Sequence, residues 1–445
     1  MTLELDSYAM STQAARRVRR PDPQLSDDAL LDLVQRQTFR YYWDFAHPVS
    51  GLIRERRSPN DLDTDFIATG ATGFGVMAIV VGVERGWVTR EEAVARLLTM
   101  IGHLERARSF HGVLPHWFNG RTGDPIHFSR KDDGGDLVET AFLMQGLLCV
   151  RQYFDGAGRE SELRERCDRM WRETEFNWHT HDGGDVLYWH WSPNHGWAMN
   201  FPIAGWNEAF IVYILAASSP TYAIDPRVYH EGWTSGDRFR NGKSFYGITL
   251  PLGHDLGGPL AFAQYSFLGL DPRGLVDRYA DYWAQNVAHA KIHVEYAKDN
   301  PKGFKGYGAD CWGWTAEDTD TCYRELSPTS DYGVIPPTGA VGSFPYAPDD
   351  CMRALRHYVS SPLREKIWGD YGFTSGFSEQ RNWYSQDVIG IDQGPILLMI
   401  ENHRSGLLWK LFMSCPEIKQ GLSRLGFSSP HLAPRIALAE GKAAS

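Results

Sequence analysis

Apolar residues recur every three to four positions along much of the chain, and this spacing is typical of amphipathic α-helices. At 27–46, for example, Leu30, Val34 and Tyr41 fall on one stripe behind an acidic start. Strand-like alternation is rare and short. The pattern therefore predicts about twelve helices. They cover residues 27–46, 71–84, 90–108, 134–154, 160–175, 204–218, 259–269, 274–296, 348–360, 362–369, 394–404 and 416–425.

Long loops rich in aromatic residues, glycine and proline separate many of these helices. They run over 109–130, 177–203, 228–258, 298–346 and 372–391. Loops of such length in a compact domain are usually functional. Six inner and six outer helices fit an (α/α)6 toroid, so the predicted fold is all-α, a six-hairpin barrel with aromatic-rich loops.

No linker or change of composition marks a second domain in the sequence. We therefore expect a disordered tail at 1–25, a single domain at 26–430 and a C-terminal tail at 431–445. Three closely spaced glycines, Gly70, Gly73 and Gly75, begin the second predicted helix, and their spacing does not match a dinucleotide-binding fingerprint. We expect them to permit the close packing of two helices.

Charge and hydropathy exclude several classes of partner. The formal charge of the 445-residue chain is −10, and no basic face suits nucleic acid. No apolar run reaches the length of a membrane span, and no signal peptide is recognisable as written. These features predict a cytoplasmic protein, or a periplasmic one if the start is misassigned, and they leave the oligomeric state open.

Cysteine and histidine patterns give no support for a metal centre. The six cysteines are widely spread and form no C-x-x-C pair. His179 and His181 lie two residues apart, but their aromatic-rich loop favours hydrogen bonding over metal ligation. We therefore expect neither a metal nor another cofactor. The 16 tryptophans, in contrast, suit stacking against the apolar faces of sugar rings.

Three carboxylates cluster in the segment 131–146. Asp132, Asp136 and Glu139 are spaced by four and three residues, so a helix that begins here would hold all three near one face. The helix then becomes apolar and should enter the core, which makes its start a candidate site for acid/base chemistry. A structural interpretation competes on equal terms: Asp136 could be an N-cap with Glu139 as its capping-box partner.

Two further carboxylates begin apolar helices. Glu208 is flanked by Trp206 and Phe210, and apolar surroundings raise a carboxyl pKa as a general acid requires. Asp392 precedes Gln393 and a glycine. We expect a more solvated carboxylate there, ionised and able to serve as a base.

Eight sequence blocks, taken in this order, resemble the bacterial glycoamylase-like family that includes glycoside hydrolase family 144, the β-1,2-glucanases. The blocks are IATGATGFG at 67–75, VERGW at 83–87, DLVETA at 136–141, YWHWSP at 188–193, GWNEA at 205–209, YILAASSPT at 213–221, WGWTA at 312–316 and GIDQGP at 390–395. The resemblance extends over roughly residues 27–426. It implies an (α/α)6 toroid and an inverting hydrolase of β-1,2-glucan that releases sophorose or short sophorooligosaccharides.

The resemblance also implies an acidic cleft formed by Asp136, Glu139, Glu208 and Asp392, with Asp132 beside them. The family often has Asp where this chain has Glu139, so the longer side chain could bind sugar instead of taking part in the chemistry. In the expected two-carboxyl mechanism Glu208 is the acid. Asp392, or else Asp136 or Glu139, is the base that activates water, at roughly 6.5–9.5 Å from the acid if the anomeric carbon is inverted.

Five aromatic and histidine side chains are candidates for substrate binding. Trp206, Trp312 and Trp314 would stack against glucose, and His190 and His254 would bond to hydroxyl groups. The alternatives are a transglycosylase or a hydrolase of another glucan on the same fold, a non-catalytic glucan-binding protein, and a polysaccharide lyase. The lyase is disfavoured because few basic residues occupy the loops that would bind uronates.

Overall fold

A computed structural model describes residues 21–61, 64–235, 239–360 and 362–432. Most of the two predicted tails, 1–20 and 433–445, lies outside the described residues. The described part is largely helical, as the sequence pattern predicted. Its fourteen α-helices are α1 Asp27–Asp44, α2 Thr69–Glu84, α3 Arg90–Leu104, α4 Leu137–Tyr153, α5 Arg159–Glu173, α6 Phe210–Ser218, α7 Ala261–Gln264, α8 Tyr282–Asp299, α9 Pro337–Val341, α10 Pro348–Ser360, α11 Arg364–Ile367, α12 Gly390–Arg404, α13 Leu407–Ser414 and α14 Pro416–Arg424.

The strands are short, with two or three residues each. They are β1 Arg56–Arg57, β2 Phe66–Ala68, β3 Trp117–Asn119, β4 Pro125–Ile126, β5 Gly135–Asp136, β6 His190–Trp191, β7 Ser244–Phe245, β8 Ile248–Thr249, β9 Glu317–Asp318, β10 Tyr323–Arg324, β11 Trp368–Gly369, β12 Gly372–Phe373, β13 Phe377–Ser378, β14 Trp383–Tyr384 and β15 Val388–Ile389. All their pairings are antiparallel, and most are local hairpins. Three connect distant segments: β1 with β15, β2 with β3, and β5 with β6, where Asp136 lies opposite His190.

Several predicted helix starts were wrong. The helix predicted at 204–218 begins only at Phe210, and the one predicted at 274–296 begins at Tyr282, where the side chain of Asp281 caps it. The predicted segment 259–269 is a four-residue helix followed by a 3₁₀ turn. The short helices α9 and α13 were not predicted.

Glycine allows α2 and α4 to pack backbone against backbone, as the sequence predicted. A Cβ atom added at Gly73 would lie 2.3 Å from the carbonyl oxygen of Phe142, and one added at Gly146 would lie 2.2 Å from that of Gly73. Both distances are far below van der Waals contact. Only glycine therefore permits this approach of the two helices at the centre of the core.

No helix among the described residues is long and apolar enough to cross a membrane. The core is instead a continuous apolar cluster to which nearly every long helix contributes fully buried side chains.

Candidate active site

A cleft of about 980 Å³ opens where several helices begin. Its walls include residues at or just before helix starts: Ala68 before α2, Glu139 in the first turn of α4, Glu208 before α6, Ala261 at the start of α7 and Ile391 at the start of α12. The unpaired N–H groups of a helix start favour negative charge nearby. Carboxylates from distant parts of the chain therefore meet around one hollow.

Glu208 lies in the turn directly before α6, and its side chain lines the cleft. Burial raises its pKa to about 7, and the nearby charges of Glu325 and Glu139 add to the shift. A carboxyl group with such a pKa holds a proton near neutrality. The structure thus agrees with the protonation state predicted from the neighbouring Trp206 and Phe210.

Asp136 is fully buried and caps α4, as the structural interpretation of the sequence held. Its Oδ1 accepts hydrogen bonds from the N–H groups of Val138 and Glu139, both at 3.0 Å, and its Oδ2 lies 2.8 Å from Nδ1 of His116. Although burial opposes ionisation, the hydrogen bond from His116 and the charge of His190 hold the pKa of Asp136 below its usual range. Both oxygens of Asp136 are therefore engaged as hydrogen-bond acceptors, and the bond to Oδ2 fixes the orientation of His116.

Glu139 lies beside this pair and lines the cleft together with His116. Its Oε2 accepts a 2.6 Å hydrogen bond from the N–H of Gly70, and its Oε1 lies 4.0 Å from Nε2 of His116. Burial raises the pKa of Glu139 to about 7, against the opposing effect of His116. The charges of Glu139 and Asp136 outweigh burial at His116 and raise its pKa to about 9. A cationic imidazole and a carboxyl group therefore line the same wall of the cleft.

Asp132 and His190 are buried beside Asp136. The Nδ1 atom of His190 lies 3.1 Å from Oδ2 of Asp132 and 3.8 Å from Oδ2 of Asp136. Neither Asp132 nor His190 lines the cleft, so both lie one layer behind the predicted binding surface.

One group of possible metal ligands occurs among the described residues. Atoms of His116, Asp132 and Asp136 lie within 4.8 Å of one another. However, His116 and Asp136 are hydrogen bonded to each other, and Asp136 Oδ1 caps α4. A cation would have to break the first bond, so the arrangement fits a hydrogen-bond network better than a metal centre.

The predicted solvation of Asp392 was wrong, because its side chain is only 1% exposed. It lies in the first turn of α12, next to the cleft residue Ile391, and its Oδ1 accepts a 3.2 Å hydrogen bond from the hydroxyl of Tyr265. Burial raises its pKa to about 7, while hydrogen bonds from Glu317 and Tyr265 oppose the rise. The glycine and proline after Asp392 do not open the helix start to solvent.

The predicted substrate-binding side chains differ in their positions. His254, predicted to bond to hydroxyl groups, lines the cleft. Trp206 also belongs to the cleft wall, but it is only 1% exposed and packs against Phe210 and Tyr282. Trp312 and Trp314 are fully buried in the core, where Trp314 packs against Tyr296, so their surroundings do not favour a stacking role.

Several residues of the cleft were not predicted from the sequence. Phe128 and Phe201 are about half exposed and line the cleft from the loops at 109–130 and 177–203. His116, Tyr265 and Glu325 also line the cleft. The length and aromatic content of the two loops were the signal for Phe128, Phe201 and His116, whereas no sequence signal pointed to Tyr265 and Glu325.

Known proteins share both the fold and the sequence of this chain. Residues 200–416 match the glycoamylase family model, described as "Putative glucoamylase". The structure also matches that of an endo-β-1,2-glucanase from Chitinophaga pinensis in complex with sophorotriose and glucose, with a TM-score of 0.89. The two sequences are 51% identical, and the match covers 92% of this chain and 100% of that one.

Two comparisons involve Parabacteroides distasonis. A curated exo-β-1,2-glucooligosaccharide sophorohydrolase (non-reducing end) from this organism is 44% identical over 423 residues, which are 90% of this chain and 58% of that protein. The chain thus spans little more than half of that protein's length. The crystal structure of a β-1,2-glucanase from the same organism matches with a TM-score of 0.87 and 44% identity, over 90% of this chain and 60% of the other.

A largely helical chain with carboxyl groups gathered at converging helix starts has the build of the glucoamylase-like proteins. Within that class, this chain belongs to the glycoamylase-like family that contains the β-1,2-glucanases. The family predicted from the eight sequence blocks is confirmed.

Proposed function

We propose that the chain is a glycoside hydrolase that cleaves β-1,2-glucan, with a single catalytic domain at 26–430 built as an (α/α)6 toroid. The observation that carries the proposal is the carboxyl group of Glu208, which lines the cleft and has its pKa raised to about 7 by burial. The likeness to the Chitinophaga pinensis endo-β-1,2-glucanase over that protein's whole length supports the choice of substrate.

In the proposed reaction Glu208 donates its proton to the glycosidic oxygen as the bond from the anomeric carbon to that oxygen breaks. A water molecule attacks the anomeric carbon from the opposite face, and ionised Asp392 takes up the proton that the water loses. The sugar inverts at that carbon, because no covalent link to the protein forms. Each cycle leaves Glu208 ionised and Asp392 protonated, and exchange with solvent restores both.

The wall formed by His116 and Glu139 has a different role in this proposal. Asp136 already accepts three hydrogen bonds, so it positions His116 and does not act as the base. His116 can donate to a sugar hydroxyl, and Glu139 can accept from one. His254 and the exposed ring of Phe201 complete the sugar-binding surface.

The test is incubation of the protein with a panel of β-1,2-, β-1,3- and β-1,4-glucans, followed by sizing of the products and NMR of the new anomeric centres. We expect loss of the β-1,2-glucan alone, with sophorose or short sophorooligosaccharides as products of α configuration. The Glu208→Gln variant is the negative control, because its side chain keeps the shape of glutamate but cannot donate the acidic proton. Absence of products from β-1,2-glucan with the folded wild-type protein would contradict the proposal.

The size distribution also separates two modes of attack. The full-length match to an endo-acting enzyme favours internal cleavage, with a rapid fall in the mean length of the polymer. A build-up of sophorose from unshortened polymer would instead indicate attack from the chain end, as named for the Parabacteroides distasonis sophorohydrolase. Longer transfer products in place of short ones would identify a transglycosylase.

A further inference from the structure

Glu317 is a fully buried carboxylic acid that the proposed reaction does not use. It begins β9 in the loop at 298–346, and its Oε1 accepts a 2.8 Å hydrogen bond from the N–H of Asp318. Its carboxyl group lies within hydrogen-bonding reach of Asp392, which comes from the start of α12. Two acids distant in the sequence thus meet next to the part of the cleft wall that Tyr265 and Ile391 form.

The second carboxyl oxygens of Glu317 and Asp392 indicate that the two acids share a proton. Glu317 Oε2 and Asp392 Oδ2 are both buried, and neither has a donor among the described residues. Arg56, whose positive charge acts on Asp392, is already engaged by Glu55, Asp318 and Asp387, at 2.9–3.0 Å. Two carboxylates in contact cannot both ionise in a buried site without a cation, so one of them must hold a proton.

We propose that Glu317 is a positioning residue that holds this proton and donates it in a hydrogen bond to Asp392, so that Asp392 stays ionised although it is buried. The inference deepens the proposed function, because it rests on Asp392 as the base. It also explains how a side chain that is 1% exposed can be a carboxylate near neutrality.

The direction of the sharing follows from the surroundings of the two acids. Asp392 accepts a second hydrogen bond from Tyr265 and faces the charge of Arg56, and both favour its ionised form. The charge of Asp318 opposes the ionisation of both acids, and Glu317 also faces the charge of Asp392. Burial and these two charges raise the pKa of Glu317 well above its usual range. The other titratable or charged groups that face the pair are Tyr42 of α1, Glu55 and Arg56 at β1, and Tyr323 of β10.

The test compares two replacements of Glu317 through the pH dependence of kcat/KM on β-1,2-glucan. Glu317→Gln keeps a donor for Asp392, so we expect activity within about fivefold of wild type and an unmoved acidic limb. Glu317→Met fills the space without a donor, and we expect the acidic limb to move upward by about one pH unit or more. The proposal would be overturned if the acidic limb of Glu317→Met stayed at the wild-type pH. It would also be overturned if Glu317→Gln were as inactive as Asp392→Asn at every pH.

Thr319→Val is the matched control for disturbance of the same hairpin. Thr319 bonds to the carbonyl of Cys322 at 2.8 Å and does not contact Asp392. We expect this variant to lower the melting temperature without moving the acidic limb. A limb shifted equally by Thr319→Val would mean that the Glu317→Met effect is structural.

A second measurement does not depend on catalysis. A carboxyl group whose pKa is raised on folding stabilises the protein at low pH and loses that contribution as the pH rises. The melting temperature of wild type should therefore fall between pH 5 and 8 more than that of Glu317→Gln, which has no proton to lose. Equal slopes would refute the shared proton. If Asp392→Asn kept its activity while the slopes differed, the proposed base would be wrong and the shared proton would stand.

Discussion

Asp136 and Asp392 are both buried carboxyl groups at the start of a long core helix, yet their environments shift their pKa values in opposite directions. Asp136 accepts two backbone N–H groups and a histidine, and its pKa is held below the usual range although burial opposes this. Asp392 has a tyrosine hydroxyl and another carboxylic acid, and burial raises its pKa. The position at a helix start alone does not decide whether a carboxyl group is ionised. The number and charge of its hydrogen-bond donors decide it.

The largest loss of activity should follow from neutralising Asp392. We expect Asp392→Asn to lower kcat by about a thousandfold or more, because the proposed base can no longer accept a proton from water. Its melting temperature should stay close to that of wild type. The matched control is Asp387→Asn, which changes a carboxylate bound to Arg56 and should cost less than about tenfold. Equal activities of Asp392→Asn and Asp387→Asn would contradict the assignment of Asp392 as the base.

Asp136→Asn should have the next largest effect, and by a different route. Asn can still cap α4, but it no longer pairs with protonated His116, so the pKa of His116 should fall from about 9 by more than one unit. We expect about a 10- to 100-fold loss of activity and about 1–3 kcal/mol of stability. Histidine NMR titration and denaturant melts measure both.

The pH dependence of this second variant has a definite sign. A histidine with a raised pKa stabilises the folded state below its unfolded value, and this contribution is lost as the pH rises through the folded value. Wild type should therefore lose stability between about pH 6.5 and 9, and Asp136→Asn should lose less. Glu175→Gln breaks the His111–Glu175 pair, whose atoms lie 3.0 Å apart outside the cleft, and serves as the control.

Tyr265→Phe should produce a smaller effect on the Asp392 side. The change removes the hydroxyl that donates to Asp392 at 3.2 Å, so the pKa of Asp392 should rise and the acidic limb of kcat/KM should move upward. We expect a shift of about half a pH unit and about a three- to tenfold loss of kcat. Tyr213→Phe, which removes a buried hydroxyl bonded to a backbone carbonyl, should lower stability without the shift. A shift common to both variants would contradict the assignment.

Phe201→Ala should have the smallest effect and reports on the Asp136 side. Phe201 is half exposed and stacks against Trp189 and His190, so it offers a flat surface to a sugar ring. We expect KM to rise about three- to tenfold with kcat nearly unchanged, because stacking binds substrate and transition state alike. Tyr246→Ala, an exposed ring outside the cleft, should change neither. A fall in kcat alone would show that this side takes part in the chemistry.

The sequence was most informative where the determinants are local. The helix predicted at 27–46 is observed at Asp27–Asp44, because its apolar stripe and Ser26 cap lie within one segment. The apolar neighbours of Glu208 likewise predicted its raised pKa. The glycine spacing indicated the close packing of two helices, but it did not identify α4 as the partner of α2.

Contacts between distant segments could not be predicted in this way. His116 and Asp136 are 20 residues apart, and Glu317 reaches Asp392 from a loop with no regular pattern. The partners of Asp392, Tyr265 and Glu317, come from distant segments, and its polar neighbours in the sequence gave the wrong expectation of solvation. The catalytic and binding roles of the individual residues stay predictions until the variants are made.

The glycine contact between α2 and α4 has a consequence for engineering. Gly73 and Gly146 keep the two helices together, and the N–H of nearby Gly70 donates to Glu139 at the rim of the cleft. A bulkier residue at Gly73 or Gly146 would push α2 and α4 apart, and it would also displace Glu139 in the wall of the cleft. Attempts to raise heat resistance should therefore leave both glycines unchanged and concentrate on the polar outer face of α5, which bears no part of the cleft.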